Sequence, residues 1–591
     1  MTVTNAAAQA FLQCVIVDRA TGEPASCNVA LTDPAGKRVV ERNSFQGGFR
    51  CRGYFEKSLP SGTVQLRVTR GPETLAFEKV LQLAPGQAHE IRVELERQVD
   101  LRSRGWFSGD SHAHMIHDAW NASVDFDYVA LAAQAEDLQY LSLAQQWTID
   151  RPTPEALEAE LNARSRQDCV LTWNLEAPKN YYRGDATRCL GHCWTWVMPG
   201  RTRQGDNVIS MLFEASAGDY ESQKPSYANF ESHELIRHLG GRSFYSHPFR
   251  WWTGPWGGQG GYPHREKARI SNLAVELPLD TLLGPTYDGL DVMTTAGEYS
   301  ANAKAFELWA MLLNRGYRLA ATASSDSCFD RANGAVPGSV RTYTFLDKGF
   351  SLEAVAEATA KGRTFVTTGP LIVSTLEGLP PGSVFQADGR NHRLAMELWA
   401  AGNANGGLSH LELIRNGAVV QTLHLPPGTM RFQTNQMIRA TESSWYSLRL
   451  YGSDPQRQRA ISGAFYFEKP GQAPPAPVMA RVRARIVEDD TGKPLSGRLI
   501  EVQYLGNHPR DGRRHRAPGG HLVVSVPGTA RLRAEAPGYK PVVLSPFFDH
   551  PALLEKITLM TAEDLAQWET FEQIRSLLSD VPLTFRLKKS P

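Results

Sequence analysis

The stretch WFSGDSHAH, residues 106–114, is an apolar run that closes on two histidines two positions apart, and its reading decides the rest of the chain. On an extended segment alternate side chains share a face, so His112 and His114 point the same way. Alone, such a pair is a weak signal, since a histidine-rich polar turn looks the same. Six further apolar runs have the same form: YLSLAQQW (140–147), VLTWNLE (170–176), GHCWTW (191–196), SFYSHP (243–248), LAVELP (273–278) and LAATASSD (319–326). Nearly every run ends in a polar or ligating side chain. Longer amphipathic stretches lie between them, among them FDYVALAAQAEDLQY (126–140) and TPEALEAELNARSR (153–166). A short apolar run followed by an amphipathic one is the rhythm of a parallel βα barrel. In such barrels the carboxyl ends of the strands carry the active site, so His112, His114, Glu176, His192, His247 and Asp326 can converge. Neutral imidazole and carboxylate together suit zinc first, then manganese or iron, as one or two divalent ions.

The order HxH, strand-end Glu, His, SHP and a final SD resembles the polymerase and histidinol phosphatase (PHP) superfamily. LLNRGYRLAATASSDS (312–327), VPGSVRTYTF (336–345) and KGRTFVTTGP (361–370) resemble its CehA/McbA branch, the carbaryl-hydrolase-like metallohydrolases. The resemblance covers about residues 100–375. It implies a distorted PHP-type barrel in which His112, His114, Glu176 and Asp326 surround one metal. Glu176 would bridge to a second metal held also by His192 and His247; two dications about 3.5–4 Å apart need a shared anion. Glu176 and Asp326 are thereby the expected catalytic carboxylates.

The departures from that pattern are informative. Where many members carry T-D-H, this chain has Ala144, Gln145 and Gln146, and in place of SDxH it has SSDSC with Cys328 last. Both missing histidines belong to a third metal in trinuclear members, so none is expected here. His117 has three readings: ligand, proton donor or surface histidine. Asp110 reads as a carboxylate supporting the ligands or a turn, and Glu276 as a supporting or structural carboxylate. HELIRH (233–238) is not a zinc motif, because histidines five apart lie about 140° apart around a helix. It reads as a solvated helix end.

A metal lowers the pKa of its water and polarises the oxygen under attack, and no G-x-S-x-G elbow competes for the role of nucleophile. The expected reaction is hydrolysis of a carbamate, ester or amide. HPFRWWTGPWGGQGGYPH (247–264) offers Arg250 for an anionic group and Trp251 and Trp252 as aromatic walls, or else packs as a cluster on the barrel rim. Trp147, Trp194 and Trp196 come from other strand ends and are read as lining the same mouth. Two alternatives stand beside this. One is a PHP-type phosphoesterase, weakened by having only Arg183, Arg188 and Arg250 as evident phosphate-binding candidates. The other is a catalytically degenerate, multi-domain binding protein.

At 591 residues the chain exceeds one hydrophobic core. The fold class read is multidomain α/β plus all-β, with the barrel flanked by β-sandwiches. The expected divisions are 1–99, a regulatory-like sandwich; 100–376, the barrel; 377–469, a β-sandwich; 470–477, a Pro-rich linker; 478–560, a second regulatory-like sandwich; and 561–591, a helical tail. The outer sandwiches share a pattern: VDRATGEPASCNVAL (17–31) aligns with VEDDTGKPLSGRLIE (487–501). The balance of 63 Lys and Arg against 62 Asp and Glu points to a small-molecule substrate, without nucleic acid or membrane. The N-terminus lacks the features of a signal peptide, so the sequence as written reads as cytoplasmic unless a signal has been removed. Seven cysteines without a CxxC pair read as buried thiols, with Cys27 and Cys51 the pair that could join.

Overall fold

The computed structural model describes residues 9–41, 45, 47–115, 124–145, 154–176, 191–196, 229–238, 240–248, 279–294, 299–330, 335–505, 508–558, 562–565 and 567–591. Contacts divide it into two units. The first comprises Met1–Leu175, Met293–Ala296 and Ala320–Pro470; the second comprises Glu176–Val292, Gly297–Leu319 and Gly471–Pro591. No described helix is long and apolar enough to cross a membrane.

The first unit begins with two sheets whose strands alternate buried and exposed residues, as a sheet covered on one face requires. Gln9–Asp18 lies between Tyr54–Pro60, antiparallel, and Ala88–Leu95, parallel. The facing sheet runs Phe49–Arg52, Ser26–Thr32, Gly62–Thr69, Phe77–Leu83. Leu12, Cys14, Ile16, Val29, Leu66 and Val93 fill the space between them. Cys27 and Cys51 sit opposite each other with Sγ atoms 3.6 Å apart, not joined in a disulfide, and every described cysteine is buried and outside any disulfide.

Three parallel strands follow: Trp106–His114, Tyr140–Gln145 and Val170–Glu176, joined through the helices Phe126–Ala135 and Pro154–Arg164. Asp125 caps the first helix, its carboxylate accepting from the Tyr128 amide at 2.7 Å. This is the expected βα rhythm, but a closed barrel is not what the described residues form. On its other edge Trp106–His114 pairs antiparallel with Arg341–Phe345. The same sheet continues through Thr364–Thr367, Arg459–Ser462, Ser444–Gly452 and Leu408–Arg415 into the β-domain. Toward Arg341–Phe345 and Thr364–Thr367, Ala320–Ser324 is held by side-chain hydroxyls. The Thr342 hydroxyl donates to the Ala323 carbonyl at 2.9 Å, and the Thr364 hydroxyl to that of Ala321 at 2.8 Å. Ser327–Cys328 pairs parallel with Ala113–His114. The β-domain packs a second sheet, Leu371–Leu376, Asn391–Trp399, Arg431–Arg439, over a core that includes Ile372, Leu394, Leu411, Leu450 and Phe465.

In the second unit, His192–Trp196 pairs antiparallel with Arg242–Ser246, a further departure from an all-parallel barrel, and Arg242–Ser246 runs parallel to Gly289–Thr294. The C-terminal sandwich repeats the strand order of the first. Met479–Glu488 lies between His521–Pro527, antiparallel, and Val581–Leu587, parallel. Its facing sheet runs His508–Ala517, Gly497–Leu505, Arg531–Glu535, Val542–Leu544. The turns correspond as well: Val17 bridges Pro24 and Val487 bridges Pro494, with Gly22 and Gly492 at φ 72° and 67°, where a side chain would be strained. Residues 561–591 are therefore not a helical tail throughout. After the helix Trp568–Leu578 the chain returns as the last strand of the sandwich, because VPLTFRL alternates strictly between buried and exposed.

Candidate metal centre

Within the first unit, His112 and His114 end a strand in which all nine residues are buried. The register against Tyr140–Gln145 slips between Asp110 and Ala113, an irregularity that re-aims the end of the strand. There the Asn174 side-chain amide donates to the Ser111 carbonyl at 2.5 Å. His112 Nε2 and His114 Nε2 lie 3.1 Å apart. Asp326 Oδ1 is 3.5 Å from the first and 3.2 Å from the second. His114 Nδ1 faces the Ala144 carbonyl at 3.0 Å, so that nitrogen carries the proton and Nε2 presents its lone pair. Donor atoms about 2.0–2.2 Å from a tetrahedral metal lie roughly 3.3–3.6 Å from one another, so two imidazole nitrogens and a carboxylate oxygen at these distances fit a cation.

Asp326 has φ 48°, a left-handed conformation rare outside glycine, and the residue before it, Ser325, is held by Asp110. The Asp110 carboxylate accepts from the amide of Ser325 at 3.1 Å, the hydroxyl of Ser325 at 2.5 Å, the amide of Gly338 at 2.8 Å and that of His112 at 3.3 Å. Complete burial pushes the Asp110 pKa up, and these four donors oppose that rise. The expectation of a supporting carboxylate matches this geometry.

The second unit holds the other three expected ligands. Glu176 ends its strand, His192 begins the next described strand, and His247 follows Ser246, which registers with His192. All three are buried. Glu176 Oε1 lies 2.8 Å from His192 Nδ1, and the rings of His192 and His247 are 5.3 Å apart at 71°. His247 has φ 30°, a second strained backbone at an expected ligand.

Other expectations fare differently. His117, Gln146, Trp147, Arg183, Arg188, Arg250, Trp251, Trp252 and Glu276 lie outside the described residues. Trp194 and Trp196 are both buried, and Trp194 stacks on Phe244 at 4.2 Å with its indole nitrogen 3.4 Å from Asp291. Nor is HELIRH simply a solvated helix end. His233 is buried, its Nδ1 2.8 Å from the Ser243 hydroxyl and its ring against Tyr245 and Tyr287, while His238 is exposed. Cys328 is buried, its thiol 3.8 Å from the Asp326 carbonyl. Sequence reasoning missed Asp291, a fully buried acid in GLDVMT; an acid inside an apolar run was the available signal.

No protein-family model and no curated protein matches the chain. Among solved structures, it is similar to a two-domain protein containing a predicted PHP-like metal-dependent phosphoesterase from Bacteroides vulgatus. That similarity is 11% in identity over 61% of this chain and 94% of the other, with a TM-score of 0.30. It is also similar to the lesion-specific endonuclease EndoQ from Pyrococcus furiosus, at 15% identity over 43% of this chain and 56% of the other, with a TM-score of 0.27. Similarities at this level carry no argument about function, and the chemistry of the two triads has to stand by itself.

Proposed function

We propose that the chain is a metal-dependent hydrolase acting on a carbamate, ester or amide, as its sequence resemblance to the CehA/McbA branch of the PHP superfamily implies. The observation that carries this reading is the buried His112–His114–Asp326 triad, whose three ligand-type atoms face one another at 3.1–3.5 Å. Burying two imidazoles and a carboxylate is costly unless they are satisfied, and a divalent cation satisfies all three together. Glu176, His192 and His247 form a second group of the same chemistry, so the expected content is up to two ions, zinc before manganese or iron. A divalent cation held in either group would supply Lewis acidity, bringing the pKa of a water toward neutrality and polarising the oxygen under attack. The chain itself fixes the His114 tautomer through Ala144 and holds Ser325, the residue before Asp326, through Asp110. Arg250, Trp251, Trp252 and Trp147 are proposed to orient the substrate, and His117 to donate the proton to the leaving group.

The test is metal content per chain by plasma mass spectrometry, before and after reconstitution with zinc or manganese. It is followed by rates on p-nitrophenyl esters, carbamates and phosphates. One or two ions per chain with carbon-centred hydrolysis supports the reading. Faster release from the phosphates transfers it to a phosphoesterase. No ion after reconstitution overturns it and leaves a binding protein.

A further inference from the structure

The two copies of the sandwich module share strand order and register, yet differ on one face. In the first copy, the outward row of the middle strand reads Phe11, Gln13, Val15, with Phe11 52% and Val15 42% exposed. Aligned through the T-G-x-P turns, the equivalent row of the second copy reads Arg481, Arg483, Arg485, all exposed. Pairing across the sheet corresponds: Phe11 is opposite Ser58 as Arg481 is opposite Ser525, and Val15 is opposite Tyr54 as Arg485 is opposite His521. The module folds with an aromatic and an aliphatic residue at these positions, so its architecture does not demand arginine there.

The flanking residues invert in the same sense. Gln13 lies between Glu56 and Glu90, both exposed, whereas Arg483 lies between Val523, 54% exposed, and Pro582. One face therefore carries Phe11 and Val15 with carboxylates beside Gln13 and a single cation, Arg92, opposite Val15, and the other carries three arginines with Val523 and Pro582 beside the middle one. Guanidinium groups pair with carboxylates and lie favourably over aromatic faces such as those of Phe11 and Tyr54.

We propose that these faces bind each other between copies of the chain, the first-module face of one copy docking on the second-module face of another. Such a contact is heterologous, closing into a dimer where it is reciprocated and otherwise extending head to tail. Three strands about 4.8 Å apart and three or four outward residues long offer roughly 300–400 Å² per partner. That is less than half of the ~800 Å² of a standard interface, so the association is weak and salt-sensitive.

The test is sedimentation velocity of the full chain over a concentration series, at ~0.01 M and at ~1 M salt, where the Debye length falls from ~30 Å to ~3 Å. The expected result is association that grows with concentration at low salt and disappears at high salt. The double variant R481E/R485E should lose it, and so should E56R/E90R, while an equimolar mixture of the two variants should regain it, because the two altered faces then carry opposite net charge, as do the two unaltered ones. A wild-type chain that stays monomeric up to ~1 mM at low salt overturns the proposal. So does association unchanged in R481E/R485E, or a mixture that fails to regain it. Low-salt association abolished by nuclease treatment overturns it in favour of a polyanion on the arginine face.

Discussion

Asp110 Oδ1 accepts the backbone amide of Ser325 at 3.1 Å across 215 residues of sequence, and so fixes the residue that precedes Asp326. The same carboxylate accepts the Ser325 hydroxyl and the Gly338 amide. Asp110→Asn keeps the shape but replaces one acceptor oxygen with a donor, setting it against a backbone amide or the hydroxyl. Groups that orient ligands typically contribute 10–100-fold to metal affinity. The expected result is a loss of that order in zinc affinity, read by chelator competition. The protein should also lose ~1–3 kcal/mol of stability, because a buried donor is left without its acceptor. Affinity unchanged in a folded variant would remove Asp110 from the support of the site.

Glu176→Gln should abolish the ion held with His192 and His247 and, if Glu176 bridges as the resemblance implies, the other ion with it, since a neutral amide is a poor replacement for a carboxylate ligand. Asp326→Asn should do the same for the ion held with His112 and His114. Metal counts per chain separate the outcomes. If Glu176→Gln removes one ion and Asp326→Asn the other, the groups act independently. If Glu176→Gln removes both, Glu176 is a bridging carboxylate. If neither variant changes the count, these carboxylates are not ligands.

What was legible in the sequence was local. The strand ends bearing His112, Glu176 and Asp326 were visible because apolar runs of strand length stop at them, and the repeated module was visible through its T-G-x-P turns. The way Ala320–Ser324 is held against Arg341–Phe345 and Thr364–Thr367 was not, since it depends on the hydroxyls of Thr342 and Thr364 reaching the carbonyls of Ala323 and Ala321, and threonine in a strand looks the same whether or not it does this. The strand Val581–Leu587 was hidden by its neighbour, because the amphipathic helix before it set the period by which the whole segment was read. His233 was misplaced for a related reason. Its ring packs against Tyr245, from a later strand, and Tyr287, from the bend before Gly289–Thr294.

Cys328→Ala should leave metal content and hydrolytic rate nearly unchanged. The resemblance to the PHP superfamily would place a third-metal histidine at this position, and here the thiol lies 3.8 Å from the Asp326 carbonyl. A stability loss of about 1 kcal/mol is expected from removing a small buried side chain. If the substitution abolishes metal binding instead, the thiol is a ligand and the reading of a lost third site fails.

Glu73 makes one transition pH-sensitive in a direction unusual for a carboxylate. Burial, and then the negative charge of Asp137, raise its pKa to about 7, only partly offset by Arg97, the Leu101 amide at 2.8 Å and the Tyr343 hydroxyl at 2.9 Å. Asp137 is the carboxylate that stays ionised, with Arg97 at 2.7 Å and Arg70 at 3.2 Å. Between the ordinary glutamate value near 4.5 and about 7, the folded chain holds a proton on Glu73 that the unfolded chain has released. Stability from this group is therefore fully present below pH ~4.5 and falls as pH rises to about 7, by at most ~3 kcal/mol. Glu73→Gln cannot titrate, so its thermal transition should lose that slope. Because glutamine stays neutral like the protonated acid, the variant should gain on wild type in stability as pH rises from about 5 to about 8. Parallel melting-temperature profiles for the two proteins across this window would show that Glu73 ionises in the folded state as an ordinary glutamate does.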